Sequence, residues 1–421
     1  MIALVDCNNF YASAERLFCP RVLKAPVVVL SNNDGCVIAR SEQAKVLGIK
    51  MGAPAFLMEK QLTENNVEVF SSNYTLYNSI SDRVHATISK FVMDWEKYSI
   101  DESFIDLSGY YGMNPYRYCK LIRATVFRNV GIPVSIGIAP TRTLAKMANR
   151  YAKKERRHIG VFMLDTPAKT EMVLKYTKVE DVWGIGRQFS AFLNSHGVIT
   201  AWDLIQMPQA WIRKNMSVVG LRLVTELKGI PCAELETEPA IKKNIGIAKS
   251  FGSLLSRRED VAAALGNYVT AAAEKLRAQK SCCSRIQVFI QTNGFRTQDR
   301  QYFRSITIQL PVATSFTPEL LNYADIALSR IWKDSYNYKK VGIFLENLVD
   351  RDKVQLGLYD TKDREKQRKL MTAVDSINKA FNGKELVKFG RQGAGGRWSL
   401  RRQRLSPCYT TRLSEVLVIK Y

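Results

Sequence analysis

Ile2-Ala3-Leu4-Val5 is an unbroken apolar run closed by Asp6, the pattern of a strand buried on both faces. Phe10, Ala14, Leu17 and Phe18 then recur at helical spacing and predict a helix through about residue 18. Pro26 to Leu30 predicts a second strand, Ser31-Asn32-Asn33-Asp34-Gly35 a turn, and Cys36 to Ala39 a third strand. A short helix from Ser41 to Leu47 ends at Gly48. Residues 74–93 carry a long helical pattern, and Tyr98-Ser99-Ile100 with Ser103 to Leu107 forms a hairpin around Asp101-Glu102. A helix over 115–130, a strand from Val134 to Ile138 and a helix from Thr143 to Lys154 complete a mixed α/β or α+β region of about 165 residues. Its insertion spans about 18–75.

The pattern changes downstream. Residues 166–230 read as all helical, and Gly229-Ile230-Pro231 through Lys242-Lys243 reads as a linker. From 246 to 346 strands and helices alternate in two βαβ-like halves without a paired-acid motif, which suits a binding domain. The last 70 or so residues are basic, rich in Gly and Arg and weakly periodic, and no long-period repeat is present.

A length of 421 residues suits two to four domains, and 46% hydrophobic residues supply cores for them. The net charge of +23 points to a polyanionic partner, with nucleic acid first and an anionic surface second. Basic residues run the whole length, as in Lys153-Lys154-Glu155-Arg156-Arg157 and Arg401-Arg402-Gln403-Arg404, which suits a long track. Eight cysteines without a C-x-x-C pair, and three histidines, argue against structural zinc and for reduced thiols in the cytoplasm. Met1 to Asp6 reaches a charge too early for a signal peptide, and no run approaches the ~20 apolar residues of a membrane span.

Carboxylates among apolar strand residues are costly unless a cation neutralises them. Asp6, Asp101 and Glu102 sit in such settings. Two divalent ions ~3.5–4 Å apart need such a negative cage for phosphoryl transfer. Residues 101 and 102 would face opposite ways on a regular strand, so a turn or bulge is required to aim both at one site.

Five ordered motifs give this constellation a family. They are Asp6-Cys7-Asn8-Asn9-Phe10-Tyr11-Ala12-Ser13, Ser31 to Arg40, Ser99-Ile100-Asp101-Glu102-Ser103, Val182-Trp183-Gly184-Ile185-Gly186, and Leu405 to Arg412. The whole chain resembles the Y-family DNA polymerases, and within them the UmuC branch. The resemblance implies an α+β multidomain right hand. Its palm would be 1–12 and 75–165, its fingers 13–74 and its helical thumb, with a helix-hairpin-helix, 166–230. A linker over 231–245, an α/β little finger over 246–347 and a C-terminal tail over 348–421 would follow.

The same resemblance implies catalysis by Asp6, Asp101 and Glu102, holding two Mg²⁺ with the Cys7 carbonyl. Phe10, Tyr11, Arg40, Lys45 and Lys153 would bind the nucleotide, with Tyr11 as a steric gate against ribose. Glu42 stands where many relatives carry a tyrosine that contacts phosphate. Gly184, Gly186 and Arg187 would contact DNA phosphate, and Lys249, Arg257, Arg258 and Arg285 the duplex. Gln355-Leu356-Gly357-Leu358-Tyr359 resembles a sliding-clamp peptide. The implied function is error-prone translesion synthesis in the SOS response to DNA damage, in the bacterial cytoplasm at the nucleoid. Primer–template DNA, a deoxynucleoside triphosphate, a processed UmuD-like dimer, RecA and the clamp are the implied partners. A stand-alone DinB-type polymerase, a palm-fold nucleotide cyclase and a non-catalytic DNA-binding module are the alternatives.

Overall fold

A computed structural model describes residues 1–110, 112–238, 240–380, 386–389 and 396–418. The parts of the expected tail at 381–385, 390–395 and 419–421 lie outside the described residues. The chain divides into two units, Met1–Pro239 with Gln403–Tyr421, and Ala240–Arg402.

In the first unit the apolar run at the N-terminus becomes β1 (Ile2–Cys7), followed by α1 (Phe10–Leu17), β2 (Val27–Leu30), β3 (Val37–Arg40), α2 (Glu42–Val46), α3 (Glu59–Glu64) and β4 (Glu68–Ser71). Next come α4 (Tyr74–Ile88), β5 (Trp95–Lys97), β6 (Glu102–Asp106), α5 (Pro115–Val130), β7 (Val134–Ala139), α6 (Arg142–Glu155) and β8 (Val161–Met163). Four helices follow: α7 (Pro167–Tyr176), α8 (Arg187–Ser195), α9 (Ala201–Gln206) and α10 (Gln209–Leu227), the last broken at Ser217, where φ is 63°.

A five-stranded sheet of order β5-β6-β1-β7-β8 forms the centre, with β1 antiparallel to both neighbours. Because side chains alternate along a strand, β1 serves two cores. Ala3, Val5 and Cys7 pack with buried residues of α4 and α5, while Leu4 and Phe104 pack with α6 and the helices after it. Gly137 on β7 lets α6 lie directly on the sheet: a Cβ there would fall 2.1 Å from the Asn149 amide nitrogen and 2.3 Å from the Ala145 carbonyl. Buried Asn149 fixes that approach by donating to the carbonyls of Ser135 (2.7 Å) and Leu4 (3.3 Å). The insertion has its own sheet, β3-β2-β4, and its own small core.

The stretch read as a linker is tied down at its start. Arg142 pairs with Glu96 at 2.7 Å and donates to the Glu234 carbonyl, while the Glu236 amide donates to Glu96. Both side chains of the ion pair are buried, so the pair is a buried polar network rather than a surface bridge.

The second unit contains β9 (Ile245–Leu255), α11 (Arg258–Ala278), β10 (Ser281–Thr292), β11 (Phe303–Thr314), α12 (Thr317–Ile331), β12 (Tyr338–Asp350) and α13 (Arg364–Ala380). Its sheet order is β11-β10-β12-β9 with every neighbour antiparallel. Each βαβ half is therefore split, with a strand of the other half between its two strands. The helix α13 lies within the stretch read as a weakly periodic tail. Only Met371 and Val374 of α13 are buried, too sparse a stripe to register as periodicity. Two ion-pair groups hold it: Arg277 donates two bonds of 2.6 Å to Asp375, and Arg364 reaches Glu319 (2.6 Å) and Asp360 (2.8 Å).

Candidate active site

The register of β1 against β6 sets Asp6 opposite Glu102. Both lie two residues from core positions, Leu4 and Phe104, that face α6, so their side chains share that face. Asp101 precedes the strand. The Ser99 hydroxyl donates to Asp101 Oδ1 (2.7 Å) and accepts from the amides of Asp101 (3.3 Å) and Glu102 (3.1 Å). The Asp101 carbonyl accepts from the Cys7 amide at 2.9 Å, which ties the turn to β1. This is the turn that adjacent acids need to serve one site.

Helix α6 supplies the counter-charge. Lys146 and Lys153 stand two turns apart on one face. Lys153 Nζ lies 2.5 Å from Asp6 Oδ1, and Lys146 Nζ lies 3.0 and 3.2 Å from the two oxygens of Glu102. Burial pushes the Asp6 pKa up, Lys153 pulls it partly back, and the charges of Glu102 and Asp101 push it up again. Burial also pushes the Cys7 thiol well up, so it stays neutral and any ligand role falls to the carbonyl.

Among the described residues no three acidic, cysteine or histidine side chains are gathered at coordination geometry. Each carboxylate is turned to a lysine or a serine instead. The chemistry of the donor set still suits hard divalent cations: three partly buried carboxylates lie near one another, Asp101 and Glu102 close enough to act on Asp6, with two ammonium groups beside them.

Tyr11, half-buried, is the second residue of α1 and follows Asn9, whose left-handed conformation (φ 50°) leaves the helix without a side-chain cap. Its ring stacks on Tyr77 at 4.4 Å and 16° and meets Tyr74 edge-on at 6.0 Å. Phe10 is buried in the core. Lys45 pairs with Glu42 at 2.6 Å. Glu42 also accepts from Asn9 (3.1 Å) and pairs with Arg157 (3.0 Å), so the acid at the departure from the family pattern is a hub for three donors. Arg40 is engaged elsewhere, donating to the Ile49 carbonyl at 2.5 Å.

Gly184 (φ 96°) and Gly186 form the turn into α8, with Arg187 exposed at its first position. Trp183 of the same turn meets Tyr98 edge-on at 5.8 Å, and Lys146 lies 4.4 Å from the Tyr98 ring centroid and 5.1 Å from that of Trp183. Gln355 to Tyr359 follow β12 as an irregular segment, with Leu358 and Tyr359 more than nine-tenths exposed. Arg258 is bound to Asp325 at 2.9 Å, and the exposed Lys249 lies beside the Tyr268 ring. Sequence reasoning missed Lys146, Arg157 and Glu42 as a hub; the spacing of seven between Lys146 and Lys153 was the readable signal for the first.

Comparison with known proteins gives the family. The chain is 41% identical over its full length, and over all of its relative, to "Protein UmuC" of Salmonella typhimurium. The chain belongs to the impB/mucB/samB family. The family's main model matches residues 5–150 and its C-terminal-domain model residues 242–358. A domain of unknown function matches 368–419, which takes in most of α13 and the C-terminal segment. Another member, "Protein MucB" of Escherichia coli, is 38% identical over 98% of this chain and 97% of its own. Solved folds agree. A Y-family DNA polymerase chimera of Dbh and Dpo4 has a TM-score of 0.65 at 20% identity, covering 83% of this chain and 99% of its own. An insertion ternary complex of Dbh DNA polymerase has a TM-score of 0.56 at the same identity and coverage.

Proposed function

We propose that the acidic cluster on β1 and β6, facing α6, is the nucleotidyl-transfer site of this translesion DNA polymerase. The observation that carries the reading is the register that pairs Asp6 with Glu102 beside Asp101, on the face presenting Lys146 and Lys153. The palm is residues 1–12 and 75–165, the fingers 13–74, the thumb 166–230, the linker 231–245, the little finger 246–347 and the tail 348–421.

Asp6, Asp101, Glu102 and the Cys7 carbonyl hold two Mg²⁺ in this reading. When bound, the ions supply positive charge that lowers the pKa of a primer 3′-hydroxyl and offsets charge on the triphosphate. Everything else is positioning by the chain. Lys153 and Lys45, released from Asp6 and Glu42, take phosphate oxygens, and the uncapped first turn of α1 at Phe10 and Tyr11 offers backbone amides. Tyr11, backed by the stacked Tyr77, lies under the sugar and leaves no room for a 2′-oxygen. Arg40, held by the Ile49 carbonyl, shapes the fingers rather than reaching phosphate.

Gly184, Gly186 and Arg187 hold a DNA phosphate without reading bases. The exposed Gln355, Leu356, Leu358 and Tyr359 enter a sliding clamp. A processed UmuD-like dimer and RecA complete the assembly, which acts at the bacterial nucleoid in the SOS response. No helix among the described residues is long and apolar enough to cross a membrane.

Gap filling tests the reading: the full chain, Mg²⁺, deoxynucleotides and a primer facing an abasic template, with and without a UmuD-like dimer. Template-directed addition past the lesion is expected in the complete mixture. A primer that stays unextended in both arms overturns it.

A further inference from the structure

The C-terminal segment returns to the first unit and grips the two helices that frame Tyr11. Residues 403–405 run beside β4, the edge of the small sheet: the Ser71 amide donates to the Arg404 carbonyl (2.9 Å) and the Arg404 amide to the Ser71 hydroxyl (3.0 Å). Asn73, the cap of α4, is buried and serves both partners. Its Oδ1 accepts from the Leu76 amide (3.1 Å), while its Nδ2 donates to the Ser406 carbonyl (2.8 Å), the Ser406 hydroxyl (3.1 Å) and the Pro407 carbonyl (3.3 Å).

The Ser406 hydroxyl then donates to Glu15 Oε1 at 3.0 Å. The same oxygen accepts from the Tyr77 hydroxyl at 2.6 Å. Tyr77 is wholly buried, and its ring is the one stacked on Tyr11. Further along, Tyr409 stacks on Phe18 just past α1, with centroids 4.7 Å apart. One segment therefore touches α1, which carries Tyr11 and Glu15, and α4, which carries Tyr74 and Tyr77.

We propose that the segment Leu405–Tyr409 is a positioning element for sugar selection, setting the Tyr11 ring through Ser406, Glu15 and Tyr77. The inference rests on Tyr11 being the ribose gate. A hydroxyl at position 77 anchored to a shared carboxyl oxygen fixes the tilt of its ring. A ring stacked on it inherits that tilt, because interiors are close-packed and do not deform smoothly. Ser406, Glu15 and Tyr77 are positioning residues, and none touches the nucleotide in this reading. Their effect is on discrimination rather than on the rate with the correct sugar.

The test is single-nucleotide incorporation by the full chain, with any partner needed for activity, read as kcat/KM for a deoxynucleotide against its ribonucleotide. Ser406→Ala is expected to raise relative ribonucleotide use about three- to tenfold, the scale of one net hydrogen bond, with deoxynucleotide kcat/KM within twofold of wild type. Tyr77→Phe, which keeps the ring and loses only the hydroxyl, is expected to relax discrimination similarly and covers the case in which Ser406→Ala melts early. Tyr11→Ala should relax it further, and adding Ser406→Ala to that background should change nothing more. Wild-type discrimination in both Ser406→Ala and Tyr77→Phe, with Tyr11→Ala relaxed, overturns the proposal and leaves the gate standing. Equal loss with both sugars reduces the segment to packing and also overturns it. Unchanged discrimination in Tyr11→Ala removes the gate itself, and the proposal with it.

Discussion

Glu15→Gln isolates the cost of a buried carboxyl and gives a stability difference that depends on pH. Glu15 is 1% exposed, and its Oε2 has no hydrogen-bond partner among the described residues. Burial pushes its pKa up to about 7 from the ordinary 4.5, against the pull of the bonds from Tyr77 and Ser406. The folded chain therefore holds this proton where the unfolded chain has lost it. The stabilisation is complete below about 4.5 and is lost as the pH rises through about 7. At about 1.4 kcal/mol for each pH unit, the loss is about 3 kcal/mol.

Glutamine resembles the neutral acid, keeps the oxygen that accepts from Tyr77 and Ser406, and cannot ionise. Wild type and variant should match at pH 4.5 and separate above it. At pH 8 the variant should be more stable by about 3 kcal/mol, with its melting temperature higher by on the order of 5–10 °C. Differential scanning calorimetry of the transition of the first unit, from pH 4.5 to 8, reads this directly. Other titrating groups affect both proteins alike, so the difference curve isolates Glu15. Parallel curves, or a variant less stable than wild type at pH 8, would refute the reasoning.

Three further outcomes follow from the packing and the site. Gly137→Ala should destabilise the first unit by at least about 3 kcal/mol in urea unfolding, because the new methyl meets backbone atoms of α6 that cannot move independently. Lys153→Ala should raise the KM for deoxynucleotide about 10- to 100-fold, the scale of one charge-assisted bond, with little change in the Kd for primer–template. Replacing Gln355, Leu356 and Leu358 together with alanine should abolish stimulation of synthesis by a sliding clamp; stimulation that persists removes the motif from that role.

The legible parts of the fold were those with local signals. The apolar run before Asp6 and the run after Asp101-Glu102 predicted two strands that pair in the central sheet, while Tyr98-Ser99-Ile100, read as the other hairpin strand, is instead the turn after β5, where Ser99 serves both acids. Helix α5 carries its own boundaries, with Asn114 as cap, Pro115 at its first position and Gly131 (φ 77°) after its end. The remainder depended on distant partners. The segment at 403–410 docks through Ser406, Cys408 and Thr410 onto Asn73 and Ser79, more than three hundred residues away, and short polar side chains leave no periodic trace. Helix α13 is held by ion pairs more than by an apolar stripe, and such pairs have no sequence period. The spacing of seven puts Lys146 on the face of Lys153, but its partner Glu102 is named only once the opposite strand is in place.

Primer extension by Asp101→Asn, measured alongside primer–template affinity, is the most direct test of the acidic cluster as the site of chemistry. The substitution keeps the size of the side chain and its bond to Ser99 while removing one negative charge. The predicted result is extension reduced to background in Mg²⁺ with the Kd for DNA unchanged within about twofold. Extension at the wild-type rate, with the variant folded and binding DNA, would contradict it.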